Sequence, residues 1–200
     1  MRTVLKQALD GLATLVVSPL AAISALEKYA LPGSEEGFHF GAHLVSLCPG
    51  LPGVYVRRAF YRLTLDGCAR ECYFAFGAVF THRTVTVERG VYLGTFALVG
   101  SAHLREGTSV GSRASLLSGT ELHEFKDGRW TGYDVDKLRQ IRVGPHALIG
   151  EGAIVMADVG TATLIAAGAV VANAVPDGVV MAGNPARFVR RLERDVQEPS

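Results

Sequence analysis

The sequence predicts a mainly β chain wound as a parallel β-helix, a prism of stacked triangular coils with a helical cap in front and a short helix behind. Three observations carry that prediction. Aliphatic residues recur in steps of six at Val87, Leu93 and Val99, then after one step of five at Leu104, Val110 and Leu116. Past an interruption they return at Val143, Ile149 and Val155, and after a step of four at Val159, Ile165 and Val171. Four residues after each aliphatic the side chain is usually small or β-branched, as at Ala97, Thr108, Ala114, Ala147, Ala153, Thr163 and Ala169, with His103 the exception. Glycine often follows the aliphatic directly, as in Leu93-Gly94, Val110-Gly111, Val143-Gly144 and Ile149-Gly150. Neither a helical period of 3.6 nor a strand period of 2 gives this pattern. One short strand and a turn per six residues does, with three strands closing a coil and the aliphatic pointing inward.

Residues 1–72 read as the cap, with a helix near Thr3–Tyr29 and loops around Pro32-Gly33 and Pro49-Gly50-Leu51-Pro52-Gly53. Within the helix, Gly11 to Leu26 carries no charge and follows Arg2 and Lys6. Asp10 and the Ser18-Pro19 step argue against a signal peptide, and the run is short of the ~18–20 residues of a membrane span. A helix buried against the body and a helix touching a membrane surface through residues 1–26 both remain open. The prism follows over residues 73–178, and the glycines mark corners where a positive φ is needed. Glu121 to Arg142 interrupts the hexads with two glycines, a tryptophan, a tyrosine and several charges. A loop of about 20 residues inside a compact repeat is uncommon unless it carries function. Residues 179–200 close the chain, with a helix expected over Pro185–Val196.

Composition narrows the partners. Twenty Lys+Arg against 19 Asp+Glu give a net charge of +1, and 48% of residues are hydrophobic. The first figure excludes a nucleic-acid partner held by charge, and the second excludes a disordered chain. Three cysteines, Cys48, Cys68 and Cys72, do not make a disulfide framework and fit a reducing cytoplasmic compartment. Cys68 and Cys72 without a second pair make a poor metal site, so no metal is expected.

Four stretches resemble a known family. Ile149–Gly160 (IGEGAIVMADVG), Ala166–Val171 (AAGAVV) and the ending Val180–Arg187 (VMAGNPAR) look like the repeats and closing motif of the hexapeptide-repeat acyltransferases, and Leu116–His123 (LLSGTELH) looks like the place where that family puts its catalytic histidine. The likeness covers residues 50–190 and is nearest to the polysaccharide and sugar O-acetyltransferases. It implies a left-handed prism, a homotrimer with sites between neighbouring prisms, and acetyl-CoA as acyl donor. Coenzyme A would lie along the later coils against Gly150, Ala167, Gly168, Asn173, Asn184, Arg187 and Arg190. Arg187, Arg190, Arg191 and Arg194 fall at three- and four-residue spacing, which on a helix lets some share a face and meet phosphates. One departure is Ala172-Asn173-Ala174, where the family often has Thr-Lys-Asp, so a basic contact is missing.

Acyl transfer to a hydroxyl needs a base of near-neutral pKa within hydrogen-bond reach of the acceptor. His123 is the expected base and His82 the next candidate; His103 falls on a repeat position and reads as structural. Backbone N–H groups at the turns could hold the oxyanion. His82, Glu121, Trp130 and Asp134 are the expected acceptor contacts, with Glu124, Asp127 and Tyr133 beside them, since carboxylates and aromatic faces suit sugars. A carboxylate orienting the histidine is expected, but the spacing does not say which. An amino-acid acceptor such as serine and a non-catalytic scaffold are the alternatives. Zinc-histidine carbonic anhydrase is disfavoured by the spacing of His82, His103, His123 and His146, and nucleotidyl transfer by the lack of a glycine-rich phosphate loop in residues 1–72.

Overall fold

The computed structural model describes residues 2–118, 123–132 and 137–193. Three helices come first: α1 (Arg2–Ala30), α2 (Glu36–Ser46) and α3 (Gly50–Thr64). α1 runs unbroken through Pro19. The proline cannot donate to the Leu15 carbonyl, and the Ser18 hydroxyl does so instead at 2.8 Å. The segment Pro49–Gly53, expected as a loop, is the start of α3. Pro52 sits in the first turn, where its missing N–H costs nothing. Gly53 is required there because a Cβ would lie 1.9 Å from the Cys48 carbonyl oxygen.

The rest of the chain winds as a parallel, left-handed β-solenoid of about six turns. One face stacks strands Gly67–Cys68, Thr86–Val87, Ala102–Leu104 and Ile141–Val143; its line continues through bridges at Val159 and Val175. A second face runs from Tyr73–Phe74 to Val179–Ala182, and a third from Val79–Phe80 to Val170–Val171. Inward residues stack in register, Phe74 on Leu93, Val110, Ile149 and Ile165, and Phe80 on Val99, Leu116, Val155 and Val171. Every predicted hexad aliphatic is at most 3% exposed. The first coil begins at Gly67, one coil earlier than the hexad pattern reveals. Cys68, Phe74 and Phe80 replace its aliphatics, and the step from Phe80 to Val87 is seven residues. These rings plug the open end of the prism. Tyr61 of α3 packs edge-on against Phe74 and Phe80, at 5.6 and 4.7 Å between centroids. Arg57, 1% exposed, fastens cap to prism through the carbonyls of Phe74 (2.9 Å) and Cys48 (2.6 Å).

The glycines serve two purposes, of which positive φ is one. A left-handed residue occurs three positions after inward residues on two faces; it is Gly at 90, 107, 152 and 168, but Phe96, Arg113, His146 and Ala162 at equivalent corners. The glycines directly after the aliphatics do not have positive φ. A Cβ on Gly94, Gly111, Gly144 or Gly150 would come within 2.4–2.6 Å of a backbone nitrogen of the next coil. They are set by the spacing between coils.

Among the described residues the expected C-terminal helix is not present. Arg187–Arg191 is a strand, antiparallel to Val179–Ala182. The last coil would otherwise leave its edge unpaired, and the chain reverses over residues 183–186 to cover it. The spacing argument for the arginines changes with it. The register shift between Val180 and Met181 leaves Val189 without a partner, so Arg187 and Arg190, opposite Ala182 and Val180, share a side and Arg191, opposite Val179, lies on the other.

Candidate active site

The loop leaves the prism after Ser115–Leu116 and returns into Ile141–Val143. It does not disturb stacking, since Leu116 pairs with Val155 and Leu104 with Val143 across the interruption. Its root is pinned by Arg139 N–H donating to the Ser118 carbonyl (2.8 Å) and by Gln140 donating to the Thr84 carbonyl (3.1 Å). In its middle, Phe125–Lys126 and Arg129–Trp130 form a hairpin turned by Asp127-Gly128, both with positive φ. Asp-Gly between two apolar ends is the strongest short hairpin signal. Phe125 and Trp130 pack tilted at 5.3 Å and are 61% and 70% exposed, an aromatic surface on the outside of the loop. Glu124 is held by Lys126 and Lys137. His123 is exposed at the hairpin base, with Nδ1 3.2 Å from the Thr131 carbonyl. A carbonyl only accepts, so Nδ1 carries the hydrogen and in the neutral ring Nε2 holds the lone pair. Glu121, Tyr133, Asp134 and Arg194 lie outside the described residues.

His82 occupies the corner of the first coil on the same prism edge. Its Nδ1 donates to Glu35 Oε2 at 2.6 Å, and the other oxygen of Glu35 accepts the Arg83 backbone N–H at 2.8 Å. Partial burial pushes the Glu35 carboxyl up, but the His82 and Arg83 contacts outweigh it and hold the group below the usual carboxylate range. Glu35 is therefore ionised at neutral pH and fixes the His82 tautomer. Arg83, 5% exposed, is sunk behind this pair against Glu27, Ser24 and the Ser34 carbonyl. Burial likewise works against the Glu27 carboxylate, yet N–H groups of Gly37 and Phe38, the Ser34 hydroxyl and Arg83 lower its pKa to about 2. The pair opens on a cavity of about 740 Å³ between cap and prism, whose wall includes His39, Asp66 and, from the returning loop, Leu138. His103 is placed on a coil face against Glu88 (2.8 Å), in line with a structural role.

The residues expected to hold coenzyme A are split. Gly150, Ala167 and Gly168 share the corner between the second and third faces, where Gly168 N–H bonds the Glu151 carbonyl at 2.8 Å. A Cβ on Gly168 would meet nothing within 4 Å, so that corner is open to an approaching chain. Asn173 lies on the loop-bearing edge and lines, with Ala186 and Arg187, a small cavity of about 60 Å³. Asn184 is in the final turn, and Arg187 and Arg190 are exposed on the last strand. Within one prism the Gly150 corner and the histidine edge are not brought together. Among the described residues no group of three or more His, Cys, Asp or Glu could hold a metal.

No known family profile matches the chain. Serine acetyltransferase 2 from Arabidopsis thaliana is 31% identical over 123 residues, 60% of this chain; the match spans about a third (34%) of that relative's length. A maltose O-acetyltransferase from Clostridium difficile superposes with a TM-score of 0.56 at 14% identity, over 80% of this chain and 87% of its own. A point mutant of AntD, an N-acyltransferase from Bacillus cereus in complex with dTDP and coenzyme A, gives 0.54 at 14% identity, over 63% and 73%. These likenesses and the buried six-residue repeat agree on the fold. The chain folds as a β-helix built on a six-residue repeat.

In this β-helix, Glu35 and His39 are candidate site residues that sequence reasoning missed. Glu35 lies 47 positions from His82 and follows a Pro-Gly turn in the cap, a segment without any repeat to index it. The one available signal was Glu35-Glu36 directly after Pro32-Gly33-Ser34, two acids at the mouth of a turn.

Proposed function

We propose that the protein is a coenzyme A-dependent acyltransferase that moves an acetyl group from acetyl-CoA to a hydroxyl of a saccharide or glycan precursor. The observation that supports it best is the loop: a histidine-bearing insertion leaves an otherwise continuous prism of acyltransferase type at one edge, and its root lies beside a cavity with a second, carboxylate-backed histidine. His123 is the base of the reading. Its Nε2 takes the acceptor proton as the oxygen attacks the thioester carbonyl, backbone N–H groups stabilise the oxyanion, and the imidazolium returns the proton to the departing thiolate. No acyl-enzyme forms, so none of the three cysteines is needed. Exposed Arg187 and Arg190 suit the phosphates of coenzyme A, and the open Gly168 corner suits its pantetheine arm.

The split of the site supports a homotrimer. A corner and an edge that lie apart on one prism can face each other only between neighbouring copies. The serine reading is favoured by one finding, the 31% identical relative. Acetyl-CoA turnover, read as thiol release against a panel of L-serine and neutral sugars, decides between them. His123→Ala should abolish transfer and leave the oligomer intact; near-normal activity would remove His123 from the mechanism. We also place the protein in the cytoplasm, at the inner face of the membrane. Lys6–Ala30 is long and apolar enough to cross a membrane, but one face of α1 packs on the cap while Leu12, Leu15, Val16, Ile23 and Leu26 are 52–70% exposed on the other, which suits a helix lying in the interface.

A further inference from the structure

We propose that the cleft between the helical cap and the first coil is the acceptor site, and that Glu35 and His82 select a neutral or amine-bearing, hydroxyl-rich acceptor over a phosphorylated one. The inference rests on the acyltransferase reading and names where its acceptor binds. The cleft measures about 740 Å³, within the range of small-molecule sites, and large enough for one or two sugar rings. It lies on the loop-bearing edge, and the loop contributes Leu138 to its wall.

The polar groups of the wall are prearranged. Glu35 is fixed at both oxygens by His82 and by the Arg83 N–H, and each oxygen keeps a second lone-pair direction for a hydroxyl or ammonium donor. His39 is fixed by a 2.8 Å bond from Nε2 to the Thr81 carbonyl, so its tautomer is also set. Charge decides the class of ligand. The described wall carries the carboxylates Glu35, Glu36 and Asp66, while its two cations are already matched, Lys28 to Asp66 at 3.2 Å and Arg83 to Glu27. A phosphate in this cleft would meet carboxylates with no cation spare to receive it, whereas hydroxyls and ammonium groups find acceptors.

The test is direct binding of maltose, glucosamine and glucose 1-phosphate to the full-length chain, by ligand-observed NMR at millimolar concentrations and without coenzyme A. The wild type should bind the first two about tenfold more tightly than the phosphate. Glu35→Gln should weaken maltose and glucosamine about tenfold, and should narrow the gap to the phosphate. Leu138→Trp fills the cleft without touching the polar pairs and should also block binding. Unchanged sugar binding in both variants, no binding of any of the three sugars, or a phosphate bound as tightly as maltose overturns the proposal. Transfer from acetyl-CoA to a sugar with an unaltered acceptor KM in both variants also overturns it and leaves the acyltransferase reading standing. Sugar binding as expected with no acetyl-CoA turnover supports the cleft and removes the acyltransferase reading.

Discussion

Replacing Gly150 by alanine should cost far more than replacing Gly152, two residues along the same turn. A Cβ on Gly150 would stand 2.4 Å from Ala167 N, 2.7 Å from Ala166 C and 2.8 Å from Ala167 Cα. All three are backbone atoms of the next coil, so no side chain can turn aside, and the coils would have to part by about 1 Å to reach ordinary contact. Parting them stretches the bonds from Gly150 N to Ile165 O (2.7 Å) and from Leu148 N to Thr163 O (2.8 Å), and loosens the packing of Ile149 on Ile165. Two ladder bonds at about 1 kcal/mol each, plus partial loss of one buried contact, come to roughly 3 kcal/mol. Gly152 differs in kind. Its φ is +64° and a Cβ would touch nothing within 4 Å, so the cost is the left-handed conformation alone, about 1 kcal/mol. Ala162 already occupies an equivalent corner at φ 49°, which shows that alanine is tolerated there. Urea unfolding of the two variants measures the difference as a shift in midpoint at constant slope. Equal midpoints for Gly150→Ala and Gly152→Ala would refute the coil-spacing account of these glycines.

Two further outcomes follow from the cap. Glu27 has its folded pKa lowered from 4.5 to about 2, so its contribution is fully present above pH 4.5 and is lost as pH falls toward 2. Glu27→Gln should flatten the acid limb of a stability-against-pH profile across that window and cost about 3–5 kcal/mol at neutral pH, because Arg83 is left buried without its partner; an acid limb as steep as the wild type's would contradict the assignment. For the outer face of α1, Leu12→Glu with Ile23→Glu should release the protein from anionic vesicles in a flotation assay while leaving its melting temperature within a few degrees. Removing the whole helix would be a poor test, since Asp10 pairs with Arg58 and Ser24 with Arg83, and both arginines are buried.

The prism was legible in the sequence because its rule is local and repeated. An inward aliphatic every six residues must be buried whatever surrounds it, and the positions from Val87 to Val171 are. The pattern fails where a neighbour outside the repeat changes the rule. At the first coil Phe74 and Phe80 stand in for aliphatics because Tyr61 of α3 closes the prism over them. At the last coil an open strand edge recruits Arg187–Arg191 as its partner, and a segment whose arginine spacing suggested a helix becomes a strand. Both departures from the hexad pattern lie at the ends, where a repeat has no next repeat to copy.

The site shows the same division. The loop announced itself as an interruption, and His123 with it, because an insertion is visible against a period. Glu35 could not be seen, because its place beside His82 depends on how α1 and α2 dock on the first coil. Arg83 joins the two levels. Its backbone N–H bonds Glu35, and its guanidinium, buried against Glu27 and Ser24, ties the same corner to α1. The cap therefore both closes the prism and holds the carboxylate that orients His82. A substitution in α1 that moves Glu27 should reach His82 through Arg83 and Glu35 without touching the cleft itself, and stability and acceptor binding should fall together in such variants.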